Sequence, residues 1–170
     1  TVLEHHLLRL SEDAGVQLLQ TLGVHGCAPE LAALVRDVRG HALSLNLLGT
    51  YLRDAHGGDV RKRDQVKLQE ADAEEQGGHA FRVMDAYVQW FTSPDKNAKE
   101  AKRGQRAVAV LKLLGLFDRP ASADCLHALL KPPGLKGLTD AFDDITVEQL
   151  NIVYARLQDA KLLTVNRDAS

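Results

Sequence analysis

Hydrophobic positions along the first half of the chain recur with helical spacing. Ser11 precedes a run in which Val16, Leu18, Leu19 and Leu22 supply an apolar face, with Glu12 and Asp13 suited to the positive end of a helix. Gly23 ends that helix. Pro29 suits the first turn of the next, where Leu31, Leu34, Val35 and Val38 fall at i, i+3, i+4, i+7. Gly40 closes it, and a third helix is predicted from about Ala42 to Arg53. Its apolar set (Leu43, Leu45, Leu47, Leu48, Tyr51 and Leu52) is too wide for one stripe, which predicts burial on most sides. Val2 to Leu10 reads as a short strand or a lead-in segment. A weaker helix is predicted from Val60 to about Glu70, anchored by Val66 and Leu68.

The acidic stretch Glu70 to Gly78 ends in two glycines and is the best boundary in the chain. It predicts a helical bundle over residues 1–75 and a second domain over 76–170. Beyond it, Phe81, Met84, Val88 and Phe91 mark a helix over Ala80 to Phe91. A polar loop leads through a basic stretch to an apolar helix, Ala107 to Leu116, stopped by Asp118-Arg119-Pro120. Ser122 caps a short helix, Ala123 to Leu130, and KPPG breaks it. Leu135 to Ile145 has mixed signals. Thr146 caps a clear helix, Val147 to Ala160, with Leu150, Val153, Tyr154 and Leu157 as its apolar face. Leu162 to Val165 reads as a strand. The expected fold class is therefore mainly α: a small helical bundle followed by a winged-helix domain with a short or truncated β wing.

Composition narrows the function classes. The formal charge is −2, from 21 basic and 23 acidic residues, so no global field recruits nucleic acid or anionic membrane. Cys27 and Cys125 lie far apart and outside any CxxC, which favours a reducing cytoplasm. No apolar run approaches the roughly 18 residues of a membrane span. With charges in its apolar start and no initiator Met, the chain is expected to be a piece of a longer cytoplasmic protein.

Catalytic signatures are missing. The pairs Gly57-Gly58 and Gly77-Gly78 lack the G-x-x-x-x-G-K-[ST] context of a phosphate loop, so no ATPase activity is expected of this piece alone. His5-His6 point apart on either a strand or a helix, and His25 with Cys27 has no second ligand pair. Ser44 and Cys125 have no local activating group. The candidate recognition helix of a DNA-binding winged helix has Glu148 and Asp159 against Arg156, a poor match for a phosphate-lined groove. Arg61-Lys62-Arg63 and the run Lys96, Lys99, Lys102, Arg103 and Arg106 read best as solvated helix faces.

Several motifs follow one another in a familiar order. Leu7 to Gly23 carries L-x-R-L-S-E-D-A-x-x-x-L-L-x-x-L-G. R-G-H-A-L-S-L-N-L-L-G spans the break at Gly40. H-A-F-R-V-M-D-A-Y, L-L-G-L-F-D-R-P-A and L-Q-D-A-K-L-L complete the series. Together they resemble the helical and winged-helix domains of a bacterial STAND-class regulatory ATPase of the NB-ARC type, over nearly the whole chain. The resemblance implies a non-catalytic part of a signal-transduction switch. It would close over ADP or ATP held by a P-loop domain of the same parent chain, and control self-association of that parent. The family's Gly-x-Pro-Leu motif, which packs on the nucleotide, matches Gly40, His41, Ala42 and Leu43, with Ala42 in the proline's place. Asp85-Ala86-Tyr87 matches the family's Ser-Tyr element, with Ala86 in the serine's place. The alternatives are a DNA-binding winged-helix regulator and a rigid protein-interaction scaffold.

Overall fold

A computed structural model describes residues 9–66, 68, 78–94 and 96–165. The chain is mainly α, and among the described residues its only β pairing is two isolated bridges, Arg9 with His41 and His25 with Asp59. Two compact units divide at Tyr87/Val88. That point lies within a helix, twelve residues beyond the boundary expected from the acidic stretch. Of that stretch, only Gly78 is among the described residues, as are Arg9 and Leu10 of the lead-in segment.

In the first unit, Ser11 Oγ accepts from the Ala14 N–H at 3.2 Å and starts α1, Glu12–Thr21. Helix α2, Ala28–Asp37, begins at Cys27, whose N–H donates to Glu30 Oε2 at 2.9 Å. Pro29 occupies its first turn, where no intrahelical N–H bond is lost. Helix α3 runs Ala42–His56 and buries Leu45, Leu47, Leu48, Tyr51 and Leu52. These are buried together with Leu19 of α1 and with Leu31, Leu34, Val35 and Val38 as the apolar core of the unit. Leu43 departs from the expected buried set. It is 56% exposed, because it lies on the side of the first turn away from that core.

The segment expected to be a fourth α-helix is a 3₁₀ helix, Val60–Val66. Its buried anchors are six residues apart, which is two full turns at three residues per turn. An α-helix would set them on different faces. Arg61 Nε and Arg63 Nη1 also donate to the Glu30 side chain and carbonyl, each at 3.0 Å, tying the segment to α2.

Helix α4, Gly78–Phe91, buries Val83, Ala86, Tyr87 and Phe91. The expected face is rotated relative to this, with Met84 and Val88 half-buried. In the first unit, Tyr87 meets Tyr51 edge-to-face at 5.2 Å.

In the second unit, α5 runs Ala98–Leu114, nine residues longer at its start than the apolar pattern suggested. Asn97 explains the early start, since its Oδ1 accepts from the Glu100 N–H at 2.9 Å. Gly104 packs so closely that a Cβ there would collide with the Phe91 carbonyl. Ser122 caps α6, Ala123–Leu129, and Thr146 caps α7, Val147–Asp159. Arg106, on α5 and 5% exposed, donates to Asp144 Oδ1 and Gln149 Oε1 at 2.8 Å each and to the Ala141 carbonyl at 3.3 Å. Three acceptors thus satisfy a buried guanidinium that would otherwise be costly.

Residues 162–165 do not form the expected strand. Lys161 turns left-handed at φ 60, and the Leu162 and Leu163 N–H groups both donate to the Leu157 carbonyl. The chain folds back onto the end of α7, so those donors are withdrawn from any sheet. No β wing is present among the described residues.

Candidate functional site at the α2–α3 junction

The break in the helix pattern at Arg39-Gly40 is a tightly bonded turn. Arg39 and Gly40 both adopt the left-handed region, at φ 54 and 67. The N–H groups of Arg39, Gly40 and His41 donate to the carbonyls of Arg36, Val35 and Val38 at 2.9, 2.9 and 3.0 Å. From outside the turn, the Leu10 N–H donates to the Gly40 carbonyl at 2.8 Å. A Cβ on residue 40 would run into the Leu10 carbonyl oxygen. Glycine is therefore demanded twice, by conformation and by space.

His41 is the N-cap of α3. Its Nδ1 accepts from the Ser44 N–H at 3.3 Å and lies 2.9 Å from Ser44 Oγ. An acceptor Nδ1 places the ring hydrogen on Nε2. The cap satisfies an orphan donor of the first turn from within the chain. Ser44 is fully buried beneath it.

Ala42 follows at the first helical position. A proline would cost no hydrogen bond there, so alanine keeps the helix start but not the fixed φ. Leu43 then projects from the first turn, while Ser44 and Leu45 are buried. The four expected site residues thus separate by role. Gly40 and His41 build the turn, Ala42 starts the helix, and Leu43 presents apolar surface.

Sequence reasoning missed the neighbours. His79, at the start of α4, is held below the ordinary histidine pKa, first by burial and then by the charge of Arg39; Asp37 opposes. Asn46 shares the helical stripe of Ala42 and Leu43, and its Oδ1 is buried with no hydrogen-bond partner among the described residues. Neither has a local sequence signal, since their roles depend on how helices pack. Ala86 and Tyr87 are buried in α4, and burial raises the Tyr87 pKa far above its usual value.

Of the candidate nucleophiles, Ser44 lies at this turn, buried, with its Oγ 2.9 Å from His41 Nδ1. The His25 N–H donates to the Gly58 carbonyl, the His25 carbonyl accepts from Val60, and exposed Cys27 caps α2. Among the described residues no cluster of three or more His, Cys, Asp or Glu could hold a metal ion. His5 and His6 lie outside the described residues. Among the described residues no helix is long and apolar enough to cross a membrane. No family model, curated protein or solved structure matches the chain.

Proposed function

We propose that this chain is a non-catalytic regulatory part of a nucleotide-switched signal-transduction ATPase of the STAND class, acting in the cytoplasm. Its first unit would serve as the helical domain. Its second would serve as a winged-helix domain reduced, over the described residues, to its helices. The nucleotide, ADP or ATP, would be held by a P-loop domain of the same parent chain. ADP would keep the domains closed together, and exchange for ATP would release them for self-association. Nucleotide would thereby bias a two-state arrangement through differential contacts.

The observation that carries this reading is the exposure of Leu43. The α2–α3 turn is fixed by four backbone hydrogen bonds and capped by His41, yet it presents an uncovered leucine from the first turn of an otherwise buried helix. The resemblance implies that this leucine packs on nucleotide held outside the unit.

The test is small-angle scattering of the intact parent with ADP and with a non-hydrolysable ATP analogue. Distinct profiles are expected, and their difference should collapse in Leu43→Asp. Identical profiles for the wild type would overturn the proposal.

A further inference from the structure

The second unit gathers cations around an aromatic pair. Lys96 Nζ stands 4.4 Å from the Trp90 ring centroid, and the Arg156 guanidinium carbon stands 4.8 Å from that of Phe91 and 5.3 Å from that of Trp90. The two cations therefore share one aromatic floor. Lys96 also donates to the Trp90 carbonyl. Glu100 faces both, but it is shared three ways: Arg103 Nη1 lies 2.8 Å from Oε1, Arg156 Nη1 lies 3.4 Å from Oε2, and Lys96 also acts on it. Three cations thus surround one carboxylate, and Arg156 has the looser hold on it. Burial and the Arg156 charge lower the Lys96 pKa, as expected where like charges are held close. The cluster is half-buried, so it is both partly desolvated and open to solutes.

Arg106, in the same unit, provides a contrast. Arg106 is buried, and three acceptors from two segments meet it at hydrogen-bond distance. Lys96 and Arg156 instead converge from a loop and from α7 on one shared carboxylate. A guanidinium can grip two oxygens of an oxyanion while an ammonium adds a point charge.

We propose that Lys96 and Arg156, over Trp90 and Phe91, form a binding site for a phosphate-class oxyanion, with Glu100 as the internal counter-ion it competes against. The site lies wholly within the second unit and does not depend on the nucleotide reading of the α2–α3 turn.

Trp90 is the only tryptophan in the chain, so its fluorescence reports on the site. The 170-residue chain is titrated with inorganic phosphate, with glycerol phosphate and with sodium chloride at matched ionic strength. Saturable change is expected with one or both phosphates, at half-saturation below about 1 mM, and not with chloride. Tighter response to glycerol phosphate assigns the ligand to a phosphoester, and equal response assigns it to the free anion. Lys96→Gln and Arg156→Gln should each weaken binding about tenfold, with Lys112→Gln unchanged. Glu100→Gln keeps both cations and removes the competitor, so it should tighten binding even where an arginine variant fails to fold. A response that only tracks ionic strength, or a Glu100→Gln variant that binds more weakly, overturns the proposal.

Discussion

The Leu10 N–H donates to the Gly40 carbonyl at 2.8 Å, and the return carbonyl of Leu10 fills the space where a residue-40 side chain would begin. Gly57 offers a matched control, because it is also left-handed, at φ 61, with open space around its Cβ position. Gly57→Ala should cost about 1 kcal/mol, the ordinary penalty of a left-handed alanine. Gly40→Ala should cost about 3 kcal/mol, since steric displacement adds to the conformational term. Urea unfolding of both variants decides it, and equal losses would show that the Leu10 contact does not matter.

His41 acts as a cap through one ring nitrogen. His41→Ala should destabilise by about 1 kcal/mol. His41→Asn, which supplies a cap oxygen, should recover most of that. If alanine and asparagine melt together, the imidazole is not the cap.

Glu30 links α2 to the 3₁₀ segment and carries a pH signature. Hydrogen bonds from Cys27, then the bond from Arg61, lower its pKa from 4.5 to about 2. The folded value is depressed, so between these limits the unfolded chain binds more protons and stability rises with pH. The contribution is complete above about pH 4.5 and lost as pH falls toward 2. The stability gap between wild type and Glu30→Gln should therefore narrow across that window, as followed by urea midpoints at successive pH values. A constant gap would remove Glu30 from the acid response.

Gly104 tests propensity against packing. In a free helix, Gly→Ala gains about 1 kcal/mol. Here the new methyl would strike the Phe91 carbonyl, part of the main chain and unable to rotate aside. Gly104→Ala should lower the melting temperature despite the better helix former. A rise would mean that α5 can slide away at little cost.

The elements that were legible in the sequence are those whose cause is local. Ser11, Ser122 and Thr146 each cap the helix expected of them, because a hydroxyl one residue before an apolar pattern needs no distant partner. Asn97 has the same chemistry but precedes a basic run rather than an apolar one, so the first half of α5 was hidden. The 3₁₀ form of Val60–Val66 depends on Glu30, thirty-one residues away from Arg61. Leu162 to Val165 has strand-like composition, yet the end of α7 captures its first N–H groups. At the candidate site, the glycine break at Gly40 was visible. The histidine cap is local but uses a residue outside the usual capping set, while the exposure of Leu43 and the Asn46 oxygen left without a partner among the described residues follow from packing, which no spacing rule encodes.

The α2–α3 turn also sets rotational phase. Its three consecutive N–H groups are bonded back to the last turn of α2 and its C-cap Val38, so the junction has no slack in which to absorb an extra residue. One extra residue carried into the first turn of α3 would turn the phase of the helix by about 100° about its axis. Leu45, Leu48 and Leu52 would swing out of the core together while Leu43 moved toward it. The length of this two-residue joint thus gears the whole helix to its bundle.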